Sequence, residues 1–418
     1  MKILQEAFDQ ELKDMFKPSR LGTELVRKKL LKLGIEVAET QLDDIKSQFE
    51  LTGNDTFHLE FEDHQIIEAG FESEEQFQQT LSNFFEELAS DIETYATEFD
   101  EELPAIIMKS TDQLSHDVLK DLKISSKEML KDRALDIHSF ESNLVNVYRK
   151  GFELLEMLIV ISLEAGDSFN NDLRAEASSA NDYVFEVLTR LHARACQIAY
   201  EILVLLKSGL ADGAHARWRS LHEISVTAFL IGANDNTLAE RYLLHDEVES
   251  YKAAQIYQEH YARLGYEPLS VEEMADLKNI HDSLVDRFGK NYRSDYGWAS
   301  VVSKNKRPTF RDIERCAGLE HLRPYYKMAC HNVHANPRGI FFKLGLYPES
   351  VDILLAGPSN VGLTDPGQLT ALSLSQISTT LLTREPNIDR IVSYSKTLAP
   401  NQINGIKAKK IIEKLSWG

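Results

Sequence analysis

Apolar residues recur every three to four positions along most of this chain, and that period predicts helices. Residues 3–16 and 22–33 carry Leu, Phe and Val at helical spacing, with Gly34 as a stop. TFHLEFEDHQI (56–66) breaks the rhythm: Phe57, Leu59 and Phe61 alternate with polar residues, which predicts a short strand. Residues 73–99 return to the helical period through Phe77, Leu81, Phe84, Phe85, Leu88, Ile92 and Tyr95, with an acidic outer face. The polar stretch 110–138 reads as helical connections. Long helices follow at 139–168 and 178–207, the second broken by Lys207-Ser208-Gly209.

A helix over 211–231 ends at Gly232, and another over 235–263 is closed by Gly265 and Pro268. A shorter helix spans 270–288. A looser stretch, 293–310, leads into helices near 309–317 and 320–335. Residues 347–367 read as a loop with one short extended piece, and helices at about 367–383, 387–398 and 402–415 complete the pattern. The expected fold class is therefore mainly α: a helical-bundle C-terminal domain and a small, acidic, mostly helical N-terminal module containing a short strand. The expected divisions are a regulatory or recruitment module over 1–138, a helical domain over 139–385, and a helical tail over 386–418.

Composition narrows the class. Of 418 residues, 43% are apolar and 27% charged, the balance of an ordinary globular protein. The opening MKILQEAFDQELKDMF is acidic and amphipathic, which does not fit a secretory leader. The most apolar run, LLEMLIVISL (154–163), is too short to span a bilayer and contains Glu156. Cys196, Cys316 and Cys330 are widely spaced and form no CxxC pair. These features lead us to expect a reduced, cytoplasmic protein with no membrane association, cofactor or structural metal. The net charge of −20 is uneven. Residues 1–138 hold 15 Lys+Arg against 32 Asp+Glu, and residues 139–418 hold 31 against 34. No Lys or Arg occurs between Lys46 and Lys109, so the front suits a basic protein partner and repels nucleic acid. The nearly neutral remainder does not.

Two stretches carry chemistry. In ADGAHARWRSLHEISVTAFLIG (211–232), Arg219 and Glu223 are four residues apart and can meet on one helix face. Such a pair is either a plain ion pair or a held guanidinium that offers its fork to a phosphate or carboxylate. His215, Trp218, His222 and Phe229 line a neighbouring strip. Arg217 and His222 also match an R-x4-H spacing, but Arg133/His138 does too, and Arg315/His321 falls one residue wider; in a chain rich in both residue types this means little. In YKMACHNVHAN (326–336), Tyr326, Cys330 and His334 recur every four residues, with His331 beside them. The expected end of that helix at Asn336 places His334 in its last turn, where the dipole favours a positive charge. The P-loop, dinucleotide-binding and serine-hydrolase motifs are missing from the sequence.

Together the two stretches resemble a bacterial domain family of unknown function, number 5677. LLKSGLADGAHARWRSLHEI (205–224) is similar to its first motif, a small-residue turn and then R-S-L-x-E, here Arg219, Ser220, Leu221 and Glu223. YKMACHNVHAN is similar to its second, Y-x3-S-x3-H, with Tyr326 and His334 matching and Cys330 in place of serine. Tyr296 and Trp298 also fit. The resemblance covers about 140–385 and implies that Arg219, Glu223, Tyr326 and His334 form one catalytic site. The family's helical architecture and its occurrence among defence-like genes suggest kinship with HEPN-type domains. Two functions follow as expectations. One is a metal-independent, ribonuclease-like defence or toxin effector that takes RNA at the C-terminal domain. The other is a non-enzymatic interaction or sensor protein whose polar network is buried. A homo-oligomer fits either.

Overall fold

The computed structural model of the chain describes residues 17–50, 69–71, 73–335, 337–347 and 353–384, with Gln10, Lys13 and Phe61 as single positions. It divides into two compact units, Met1–Leu130 and Lys131–Gly418. The class is α, and no strand occurs among the described residues. The strand expected over 56–66 falls outside them except at Phe61, which belongs to neither a helix nor a strand. The helices expected at 387–398 and 402–415, and most of the one at 3–16, also lie outside the described residues.

In the first unit, α1 (Pro18–Lys32) opens with proline at its first position, where the missing N–H is no loss. Gly34 then adopts a φ of +80° and turns the chain towards α2 (Glu39–Glu50). Leu25, Val26, Leu30, Ile35, Ile45, Phe77 and Phe84 form the core. Phe61 and Phe71 both meet the Phe77 ring edge-on, at 5.4 and 5.2 Å.

Phe77 and Phe84 belong to α3, which runs unbroken over Glu74–Ser179. This corrects the expected sequence of a helix at 73–99, connections at 110–138 and a helix at 139–168. Polarity alone does not end a helix. The stretch from Ala105 to Lys150 has neither Gly nor Pro, so nothing interrupts the backbone hydrogen bonds.

The second unit is built on α4 (Tyr183–Lys207) and α5 (Ala211–Gly232). Asp182 caps α4 by accepting from the Phe185 N–H at 2.9 Å. Gly209 divides the two helices at a φ of +72°. A Cβ there would press on the Phe140 ring and stand 2.7 Å from the Ser359 carbonyl oxygen, so only glycine fits. Next come α6 (Asn236–Leu264) and α7 (Val271–Phe288), two 3₁₀ turns (Lys290–Arg293 and Gly297–Ala299), and α8 (Phe310–Cys316). After a third 3₁₀ turn, Glu320–Leu322, come α9 (Arg323–Val333), α10 (Pro337–Phe341) and α11 (Thr364–Leu382).

Central to this unit is α5, against which α4, α8, α9 and α11 all pack. Its Trp218 is fully buried in a core with Leu158, Ile202, Leu206, Leu221, Leu374 and Ile377. The helix expected over 320–335 is shorter than its pattern. It ends at Val333, and His334 has extended backbone (φ −103°, ψ 139°). Pro337 opens α10 rather than merely stopping α9, because its fixed φ suits a first helical position.

Candidate functional site

The site begins with the inward face of α5. Trp218 donates from Nε1 to the Leu369 carbonyl and to Ser373 Oγ, both at 3.1 Å. Its ring is stacked between His215 and His222, with centroids 5.5 and 5.2 Å away. These aromatic contacts set the rotation of α5 about its axis. That rotation carries Arg219 and Glu223, one turn apart, to the side where α9 packs.

There Tyr326 of α9 donates to Glu223 Oε1 at 2.6 Å. Arg219 Nε lies 3.1 Å from both that oxygen and the Tyr326 hydroxyl. The side chains of Arg219 and Glu223 stay 25% and 35% exposed, so the cluster opens to solvent. Tyr326 itself is buried and pinned. Its ring meets those of Phe310 (4.8 Å) and His222 (5.7 Å), and the guanidinium carbons of Arg219 and Arg323 each lie 5.3 Å from its centroid. Burial first, and then the hydrogen bond to Glu223, raise the Tyr326 hydroxyl above its ordinary value, so it serves as a donor at neutral pH. Burial alone would lower the Arg219 guanidinium; the Tyr326 hydrogen bond and the Glu223 charge outweigh it and raise its pKa.

A sealed layer lies beneath. His222 Nε2 meets Glu314 Oε1 at 2.9 Å with both side chains fully enclosed, and Glu314 Oε2 accepts from Arg323 at 2.6 Å. A carboxylate taken this far from water needs such partners, because desolvation would otherwise dominate. Glu314 and Arg323 thus support Tyr326 from below. They carried no periodic or motif signal, being nine residues apart across the Gly318 turn.

Of the four residues expected to form one site, Arg219, Glu223 and Tyr326 meet and His334 does not. Among the described residues no hydrogen bond or ion pair joins His334 to the other three. Its side chain is exposed, and the extended backbone at that residue takes it off the helix face that carries Tyr326 and Cys330. Cys330 is half-buried and close enough to interact electrostatically with Arg219. Tyr296, also half-buried, feels the charges of both Glu223 and Arg219. The R-x4-H pair on α5 is split: Arg217 pairs with Glu201 of α4, and His222 points into the core. Among the described residues no three His, Cys, Asp or Glu side chains stand close enough to hold a metal ion.

The fold and cluster define a class: an all-helical domain that presents a half-exposed Arg–Glu–Tyr group on a sealed polar base. Within it, residues 185–346 match the model of a protein family described as a Family of unknown function (DUF5677). The match is shorter than the expected 140–385, and it contains every residue of the cluster. No curated protein and no solved structure matches the chain.

Proposed function

We propose that the Arg219–Glu223–Tyr326 cluster binds a phosphodiester of RNA, and that the domain around it cleaves RNA without a metal as a HEPN-like defence or toxin effector. One observation carries this reading. Arg219 is held through Nε alone, so both terminal nitrogens are free of hydrogen bonds among the described residues, and neither is sealed from solvent. A guanidinium fixed in this way presents a ready fork to two phosphate oxygens.

In the proposed reaction, Glu223 takes the proton of the 2′-OH and the freed oxygen attacks the adjacent phosphorus. Arg219 holds the negative charge that builds on the phosphoryl oxygens. The bond to O5′ breaks, and the leaving oxygen takes its proton from water. The products are a 2′,3′-cyclic phosphate and a 5′-hydroxyl. The acidic front, with no Lys or Arg over residues 47–108, would recruit a basic protein partner and keep RNA from that surface.

Incubating the full chain with mixed RNA in EDTA tests the reading. The expected result is fragments with cyclic phosphate ends, and losses of about 100-fold or more in Arg219→Ala and Glu223→Gln. Intact RNA with the native chain, or equal cleavage by Arg219→Ala, overturns it. The non-enzymatic reading has its own support: Glu223 and Tyr326 already satisfy one another above a sealed base, as in a network that sets helix registry. It predicts no cleavage at all, together with a lowered melting temperature for Tyr326→Phe.

A further inference from the structure

A second guanidinium in this unit is buried without a counter-ion. Arg241, one and a half turns into α6, is 4% exposed. Its Nε donates to the Trp298 carbonyl at 3.0 Å, and one terminal nitrogen to the Gly297 carbonyl and Ser300 Oγ, both at 3.2 Å. The rings of Phe288 and Tyr292 lie 4.7 and 4.9 Å from its Cζ. Among the described residues no carboxylate pairs with it, and burial lowers its pKa from the ordinary value. Its remaining nitrogen, Nη1, has no hydrogen-bond partner there and is not sealed. A buried cation normally carries a partner or costs several kcal/mol.

Arg241 lines a half-open cleft of about 350 Å³. Leu238, Phe288, Val301 and Val302 give it apolar walls, and Asn234 and Thr237 add polar groups. The Asp235 carboxylate is there too, but its Oδ1 is engaged by the Thr237 and Leu238 N–H groups at the start of α6. The size sits at the small end of ligand sites, and a few polar groups on apolar walls are their usual make-up.

We propose that this cleft binds a small monocarboxylate with an apolar body, its carboxylate on Arg241 Nη1 and its hydrocarbon against Leu238, Phe288 and Val301. The charges choose the class. The Arg241 guanidinium carries one positive charge and matches a single negative one, and the neighbouring Asp235 repels a doubly charged phosphate more strongly than a carboxylate. The site lies apart from Arg219 and does not depend on how that cluster is used.

Calorimetric titration of the full chain with 3-methylbutanoate, 3-methylbutanamide and inorganic phosphate tests this. Saturable carboxylate binding with a Kd below about 10 mM is expected, at least about tenfold tighter than the amide, which lacks the charge. Phosphate should not bind. Val301→Trp, at an exposed wall position, should abolish binding by filling the cleft, and Arg241→Lys should weaken it. Equal affinity for the amide, no saturation by the carboxylate, or undiminished binding in a folded Val301→Trp protein overturns the proposal. If a variant fails to fold, the carboxylate–amide comparison on the native chain decides alone.

Discussion

Two buried histidines tie this fold to pH. His192 meets Ser378 Oγ at 3.0 Å through Nε2, and His215 stacks on Trp218. Burial pushes the pKa of each down to about 4, against a weaker opposite pull from Asp212 on His215. In the unfolded chain both titrate near 6.5, so between about pH 4 and 6.5 the unfolded state holds more protons. Their contribution to stability is full above that window and is lost as pH falls through it. We expect stability at pH 5 to be lower than at pH 7.5 by on the order of 1–2 kcal/mol per imidazole, measured as a shift in urea midpoint. Equal midpoints would refute it, and His215→Phe should flatten the dependence. At Gly297, a Cβ would stand 2.6 Å from the Asn291 carbonyl oxygen and overlap that of Tyr292. Gly297→Ala should therefore cost roughly 1–3 kcal/mol, as overpacking does, and should displace a backbone acceptor of Arg241. A melting curve unchanged from the native chain would count against that tight approach.

Among the elements, α7 depends on its ends more than on its packing. Leu284 is its one buried residue, whereas α4 and α5 each bury eleven or more. What holds it is a capping box, in which the Glu273 N–H donates to Ser270 Oγ at 3.1 Å and the Ser270 N–H donates to Glu273 at 2.8 Å. Gly265, at a φ of +73°, turns the chain out of α6 beforehand, and Gln258 bonds both backbone groups of Leu269. Arg287 adds a tie to Glu240 at 2.8 Å. Ser270→Ala should cost about 1 kcal/mol. Hydrogen exchange should quicken in the first turns of α7 and leave α5 unchanged; equal quickening in both would mean that α7 is part of the main cooperative unit.

For the whole molecule, the two cores are made from different parts of the chain. One uses residues from Leu25 to Phe84, and the other residues from Leu144 onward. The acidic excess belongs to the front, where residues 1–138 hold 32 Asp+Glu against 15 Lys+Arg. We expect a fragment beginning at Lys131 to keep a cooperative thermal transition and the near-UV signal of Trp218, because among the described residues the core around Trp218 begins at Leu144. A fragment without a cooperative transition would show that the units fold as one.

The sequence by itself determined what is local. Helical period and the positions of Gly and Pro predicted α4 to α7 to within a few residues, since a helix is satisfied by its own backbone and one apolar stripe. Arg219 and Glu223 could be paired in advance because four residues make one turn. Local rules misled where competing signals were weak. A polar run hid the continuity of α3, and Pro337 marked the start of α10 rather than the end of α9. Packing between distant helices decided the rest. Tyr326 reaches Arg219 across 107 residues and Glu314 reaches His222 across 92, and neither meeting follows from spacing. Without that packing Arg219 and Glu223 are an ordinary ion pair. With it, they become an anchored guanidinium and a carboxylate at the surface, while His334, on the same face by its spacing, is carried away by a helix that ends one residue before it.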